Sequence, residues 1–520
     1  MIKTLELAVI ACLMAAVTAT QNHPQVHSSS KRSVAMSTPG FAPAHSLDML
    51  LSRVGTRSTF LESSGTTNLT LAPDCVSHSP MVWFASSTGS DGSDGKSPQT
   101  PKTIYGAATL TQPGSMVCVL GGTYPETLTF YPPHLGTPAA WIVYKAYGDG
   151  PVNFVWTSSQ ACPPADCTMV NAYNAGGAYL QYQGFNFYGE GLAGSALGCH
   201  NSHHLRFIGN TIYNVTGAGV SAVQCDYVTS DHNIVYHNGY APTEESWTSG
   251  ISYNQIKASD CNDGLHNVIS NNMVVGQYDN SAHHTDGNGF ILDIDSTPGA
   301  CAQTAAPYEP AALVINNVAY GNGGRCAQVD EVSFFWIVMN NTCYKNDLDD
   351  IFQPNGGSIT VESASNGYVV NNISVGRKAS NPPYNQLNAN SNVQYFNNLY
   401  WGGPCSLDPM GIDFCTGSPH FINGDAKFVA PPFFDTNSQG SFATAEPPFV
   451  LANGLALQSD SPAACQGIDP SKLPGVPAQV ANDMQNSNNV YYVYQDIHGN
   501  MRHSPGCWHL GAYQRRGGDN

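Results

Sequence analysis

Apolar and polar positions alternate in short bursts along most of this chain, and hardly anywhere with the spacing of an amphipathic helix. From Cys75 onward one local pattern keeps returning: a few apolar residues, one or two asparagines, a second apolar alternation, then Gly or Asn. It is seen in FIGNTIYN (207–214), SDHNIVYHN (230–238), ISNNMVVG (269–276), VINNVAYGN (314–322), VMNNTCYKN (338–346), VVNNISVG (369–376) and YFNNLYWG (395–402). Anchored on Asn210, Asn233, Asn272, Asn317, Asn341, Asn372 and Asn398, the spacings are 23, 39, 45, 24, 31 and 26 residues. Repeats of this length mark a solenoid, and the two longest spacings are coils that carry extra loops. Asparagine suits such coils twice over. It tolerates the left-handed backbone of a sharp corner, and stacked amides can hydrogen-bond from coil to coil. Hairpin signals do not recur at the repeat, which disfavours an antiparallel sandwich. The predicted fold is all-β, a right-handed parallel β-helix over residues 75–450.

A solenoid needs its ends covered. Residues 101–130 predict a short capping helix around Ile104–Leu110, followed by strands Met116–Leu120 and Thr127–Phe130. Residues 451–520 lose the asparagine rhythm and gain Pro and Cys, and they predict an irregular C-terminal cap.

The first residues have a different character. Lys3, an apolar run from Leu7 to Val17 and the small residues Thr18-Ala19-Thr20 have the order of a secretory signal peptide, here residues 1–20. Residues 21–74, rich in Ser, Thr, Pro and His, read as a low-complexity lead-in. No later stretch reaches the roughly 18 apolar residues of a membrane helix. We therefore expect a secreted or periplasmic monomer without a membrane span. Of 15 cysteines, Cys12 would leave with the signal, and the even remainder in an exported chain favours disulfides. Cys162/Cys167 and Cys405/Cys415 are the nearest candidate pairs. The formal net charge of −18 argues against nucleic acid and anionic membranes. Asn-x-Ser/Thr sequons stand at Asn68, Asn214, Asn340 and Asn372.

Two segments give the chain a relative. Pro101-Lys102-Thr103-Ile104 with Gly121-Gly122-Thr123-Tyr124-Pro125-Glu126, and Leu457-Gln458-Ser459-Asp460-Ser461-Pro462-Ala463 with Leu510-Gly511-Ala512-Tyr513, resemble the opening and closing of secreted parallel β-helix proteins. The group is the pectate-lyase-like superfamily, and the resemblance spans about residues 75–515. It implies the fold. Members include pectate and alginate lyases, uronan epimerases, glycosidases and proteins without known activity, so it implies an extracellular polysaccharide as partner without choosing a reaction. The R-x-P-x-x-R motif of the commonest pectate lyases and the polygalacturonase motif set are absent.

The densest chemistry lies in SAHHTDGNGFILDIDS, residues 281–296. His284-Thr285-Asp286-Gly287-Asn288-Gly289 resembles a corner found in some of these proteins, although Asp286 and Asn288 would equally serve an Asx-turn. Aligning strands on Gly250, Gly289 and Gly324 places Asn254, Asp293 and Gln328 in one outward column and Ile256, Asp295 and Asp330 in the next. Leu292 and Ile294 then face the core with Ala327 and Val329. Carboxylates stacked about 4.8 Å apart repel one another, and a hard cation is the usual remedy. Asp293, Asp295 and Asp330 are thus candidate calcium ligands, with a solvated acidic ridge as the alternative. Lyases of this architecture neutralise a uronate carboxylate and abstract the neighbouring proton with a Lys, Arg or His. Arg325 and Lys345 are the candidate bases, Lys257 a further cation, and His284 and Asp286 supporting groups. Tyr240, Trp247 and Tyr308, in the long loops, are candidate sugar-stacking residues. The expected activity is calcium-assisted β-elimination in a uronate-containing glycan. The alternatives are a hydrolase or epimerase on the same scaffold, and a non-catalytic glycan-binding solenoid.

Overall fold

A computed structural model describes residues 75–126, 129–158, 167–241, 248–295, 311–351, 356–377, 381–406, 414–432, 453–489, 491–502 and 507–514. The predicted signal peptide and lead-in lie outside the described residues, as do Cys162, Trp247 and Tyr308.

Among the described residues, twenty-six strands wind into a parallel β-helix whose strand pairs are all parallel. The coils have three faces. The first sheet stacks Ala311–Ile315, Trp336–Met339 and Ser365–Val370. The second stacks Ile234–Tyr236, Met273–Val275, Val318–Tyr320 and Thr342–Tyr344. The third stacks Val220–Val223, Ile251–Ile256, Phe290–Asp295, Ala327–Asp330, Ile359–Glu362 and Tyr384–Leu387. Longer strands such as Thr168–Gln183 and Ser195–Ile208 run through a corner from the third sheet to the first.

The asparagine anchors form one buried ladder. From Asn210 to Asn398, each Nδ2 donates to the Oδ1 of the next anchor at 3.0–3.1 Å. A second ladder runs parallel through Asn238, Gln277, Asn322 and Asn346. The left-handed corner belongs to the residue before each anchor, with φ of 56° at Asn271, 57° at Asn316 and 53° at Asn340. The Asn-Asn dipeptide therefore divides its two tasks, one residue turning the chain and the next bonding along the helix.

Helix α1, Ile104–Ala108, starts on the Thr103 side chain, which accepts from Gly106 N–H. It buries Ile104, Ala107 and Ala108 against Val117 and Tyr124 of the first coil, so the predicted plug is present and ends at Ala108 rather than Leu110. Cys405–Cys415 pairs as expected. Cys75–Cys118, Cys199–Cys225, Cys326–Cys343 and Cys465–Cys507 are also bridged.

The C-terminal segment is irregular, as expected, but it runs along the flank of the solenoid and carries a helix the sequence did not announce, α2 at Ala478–Gln485. Leu473, Val480, Met484 and Val493 pack on Val268, Leu313, Ile337 and Tyr368, outside the first sheet. Phe428, Leu457, Leu510 and Tyr513 pack outside the second sheet on Tyr320, Ile373, Val375 and Leu399. The corner asparagines tie this cover down: Asn316 donates to Gln495 O (2.7 Å), Asn340 to His509 O (3.1 Å) and Asn371 to Ile468 O (2.8 Å). Arg502, fully buried, donates to Asn316 Oδ1 and Gly511 O. Apolar outer faces drive this docking. The third sheet's outer face is polar and stays outside both of these clusters, so the chemistry is to be sought there.

Candidate active site

Outward positions of the third sheet form two columns. One runs Ser252, Ile291, Gln328, Thr360; the other runs Asn254, Asp293, Asp330, Glu362. This register corrects the sequence alignment, in which Asp293 faced Gln328 and Asp295 faced Asp330. Gly324 stacks on Gly287 rather than Gly289, its N–H donating to Gly287 O (3.0 Å), so Phe290 pairs with Ala327 and Asp293 with Asp330. A Cβ on Gly324 would meet Asp286 O at 2.2 Å, which is why only glycine fits.

A second correction concerns the strand's end. Ile294 has φ of 55° and lies outside the core cluster. The chain turns there, in step with Gln255, Glu331 and Ser363 of neighbouring coils. Asp295 lies past the turn, where its carboxylate accepts from the backbone N–H and hydroxyl of Ser333. The structure thus brings Asp293 and Asp330 together, adds Glu362, and sets Asp295 apart.

Around the carboxyl row runs a continuous hydrogen-bond network. Asn254 donates to Asp293, and Gln328 Nε2 to Asp330 Oδ2 (3.2 Å) and Glu362 Oε2 (3.4 Å). Asn288 Nδ2 reaches both Gln328 Oε1 (3.1 Å) and Asp286 Oδ1 (2.9 Å). Arg325 is only 3% exposed. Its Nη1 donates to Gln328 Oε1 (2.9 Å), its Nη2 lies 3.8 Å from Glu362, and its backbone N–H donates to Asn288 Oδ1 (2.8 Å). A guanidinium enclosed in this way is a fixed counter-charge, not a surface base.

One guanidinium does not balance this many carboxyls. Burial, reinforced by Asp293 and Asp279, pushes Asp286 up to about 7. Burial with Asp330 does the same for Asp293, and burial with Glu362 for Asp330, both to about 7. Asp347 rises to about 7 through burial, against the opposing pull of Arg325 and Arg377. Like charges held together in a poorly solvated site favour the protonated forms.

His284, partly exposed, lies in the loop that leads into Phe290–Asp295, with φ of 48°. Its Nδ1 lies 2.9 Å from the buried carboxylate of Asp349, and its ring edge lies against Tyr278. Asp279 shapes this corner by accepting from the backbone N–H groups of Thr285 (3.0 Å) and Asp286 (3.2 Å). The sequence reading missed Asp279, Asp349 and Glu362, which come from separate coils and share no local motif. Lys345 falls elsewhere: it lines an open groove with Trp401, Lys427 and Asp460, its Nζ 5.1 Å from the Tyr344 ring. Lys257 is exposed and reaches Asn201. Tyr240 is packed between His237 and Tyr278 rather than offered to a ligand.

As a metal centre, the row supplies hard oxygen donors from adjacent coils, with proton affinities raised by crowding, and that donor chemistry fits a divalent cation. Among the described residues, the one trio of potential ligand atoms lying within 4.8 Å of one another is Cys465, Cys507 and His509, whose sulfurs are disulfide-bonded. No three carboxyls of the row converge that closely, so of the expected ligands the shared column keeps Asp293 and Asp330 and leaves out Asp295.

No protein-family profile matches the chain, and no curated protein sequence resembles it significantly. Among solved structures, it is similar to the pectate lyase Pel9A, with 14% identity over 77% of this chain and 95% of that one (TM-score 0.42). It is also similar to a rhamnogalacturonan lyase, with 14% identity over 72% and 99% (TM-score 0.35). A third is the GH136 lacto-N-biosidase from Eubacterium ramulus, with 15% identity over 61% and 56% (TM-score 0.37).

Proposed function

We propose that this protein is an extracellular polysaccharide-cleaving enzyme, and that its reaction is calcium-assisted β-elimination at a uronate residue. The carrying observation is the in-register stack of Asp293, Asp330 and Glu362 over the buried Arg325. A row of crowded carboxyls needs either protons or a divalent cation as counter-charge. A bound cation also offsets the repulsion between this acidic chain and a uronan.

In this reading Asp293 and Asp330 hold calcium. When bound, calcium supplies the positive charge that neutralises the substrate's carboxylate and acidifies the neighbouring C–H. His284, oriented by Asp349, is the proton acceptor, which moves that role from Arg325 and Lys345. Arg325 positions Gln328 and Glu362. Asp286, protonated near neutral pH, donates toward the departing sugar oxygen. The five disulfides among the described residues fit an oxidising, extracytoplasmic setting.

Glycoside hydrolysis is a second reading, favoured by the three neighbouring carboxyls held near 7, a range suited to acid–base work on a neutral glycan. Incubation with pectate, alginate and neutral glycans, with calcium or chelator, separates the two. Calcium-dependent ultraviolet absorbance from an unsaturated product, lost in His284→Ala and Asp330→Asn, is the expected result. Reducing ends without absorbance would replace elimination by hydrolysis, and no cleavage of any glycan would reject enzymatic activity on this panel.

A further inference from the structure

A second site lies on the first sheet, away from the carboxyl row. Between the outer face of that sheet and the C-terminal segment is a cavity of about 190 Å³, lined by Trp141, Gln181, Arg206, Tyr227, Thr229 and Tyr491 among others. Its volume is below the ~300 Å³ at which ligand pockets usually begin, so it has room for one sugar ring and not for a chain.

The walls are rigid. Tyr179, His204, Tyr227 and His266 stack face to face across four coils, with successive ring centroids 4.4, 4.2 and 3.8 Å apart. His266 is fixed from both sides, Nδ1 against Asp226 (2.9 Å) and Nε2 against Asn262 O (3.0 Å). Tyr227 donates its hydroxyl to Asp260 (2.8 Å). The carboxylates nearest the cavity are thus engaged by the ladder itself.

Arg206 is different. Its guanidinium lies 4.1 Å over the Trp141 ring, the one titratable group acting on its charge is Tyr491, and it forms no ion pair with a carboxylate among the described residues. Stacking on an aromatic face leaves the in-plane N–H fork available, and that fork matches a carboxylate in shape and charge. Thr229 and Asn488 line the cavity with hydroxyl-matching groups, the amides of Gln181 and Asn489 are held by Gln183 and Asp483 O, and Trp141 and Tyr227 offer flat apolar faces.

We propose that this cavity is a sugar-acid site that holds a single carboxylate-bearing ring, with Arg206 pairing its carboxylate. The site is independent of the carboxyl row and of whether that row is catalytic.

Calorimetric titration of the mature protein with D-galacturonate, D-glucuronate and D-galactose tests it. With calcium chelated, so that the carboxyl row holds no cation for a uronate, one uronate per chain should bind, with galactose at least roughly tenfold weaker. Arg206→Gln should lower uronate affinity by roughly tenfold or more, and Asp330→Asn should leave it unchanged. Uronate binding that survives Arg206→Gln, equal binding of galactose, or no uronate binding at all would overturn the assignment. Loss in Asp330→Asn with retention in Arg206→Gln would move the ligand to the carboxyl row and likewise overturn it. If Arg206→Gln melts below the wild type, Arg206→Lys carries the test, because it keeps the charge but not the fork. A severalfold loss supports the site, and unchanged affinity rejects it.

Discussion

The outer faces of the first and third sheets use one architectural device for opposite ends. Each lines up side chains from successive coils at the strand spacing of about 4.8 Å. On the third sheet the stacked groups are carboxyls, which repel, so the row is braced by the buried Arg325 through Gln328 and its proton affinities are raised. On the first sheet the stacked groups are rings, which attract, and Arg206 lies over Trp141 without a carboxylate partner among the described residues. The C-terminal segment docks along the first and second sheets, whose outer faces are largely apolar. Repetition by itself therefore does not make a site. What matters is whether the repeated groups repel or attract one another when stacked.

The largest expected effect is on turnover. Asp330→Asn should lower the rate of glycan cleavage by roughly 10²-fold or more in a continuous product assay, as expected when a positioned carboxyl is lost. Next comes the contrast between the two arginines. Arg325→Met removes the counter-charge from enclosed carboxyls and should cost about 3–5 kcal/mol in denaturant unfolding. Arg206→Met, which loses one ring contact, should cost about 1 kcal/mol or less. Equal costs would erase the distinction between a structural and an available cation. Asn317→Ala, in the ladder at the corner between the first and second sheets, should fall between them at about 1–3 kcal/mol, because it strands the backbone and side-chain N–H groups of Asn272 and the carbonyl of Ile269.

Acidification should act on the carboxyl row and on the buried histidines with opposite signs. Asp286, Asp293 and Asp330 have folded values near 7 against an ordinary 3.8. The folded state thus holds more protons between about pH 4 and 7, and the row's contribution is full below pH 4 and is lost as pH rises through 7. His204 and His237 behave the other way. Burial holds both near 4 against an ordinary 6.5, so their contribution is present above 6.5 and is lost as pH falls toward 4. In chelator, Asp330→Asn should flatten the decline in melting temperature between pH 5 and 7.5, and His237→Gln should flatten the decline below pH 6.

Much of this molecule could be read from its sequence, because the repeating unit writes itself as Asn-Asn flanked by apolar residues. All seven anchors fall in the buried ladder. Burial excludes both Asn372, in the ladder, and Asn340, a corner residue bonded to His509 O, as glycan acceptors in the folded protein, each being 0% exposed. The candidate site was legible only as a neighbourhood. Aligning Gly289 with Gly324 was natural, since both precede a strand, but steric fit stacks Gly324 on Gly287 and moves the register by two. The left-handed turn at Ile294 had no signal, because a β-branched residue is a poor candidate for that conformation. Asp349 and Glu362 come from later coils without a motif, and the first-sheet cavity gathers Trp141, Gln181 and Arg206 from coils that precede the regular asparagine anchors.

Calcium titration followed by calorimetry at pH 7.5, on the wild type, Asp293→Asn, Asp330→Asn and Asp295→Asn, bears most directly on the stacked carboxyl row. One calcium should bind per chain at this row, lost in Asp293→Asn and Asp330→Asn and kept in Asp295→Asn. Calcium binding that depends on Asp295 and ignores Asp330, or no calcium binding by the wild type, would contradict this site.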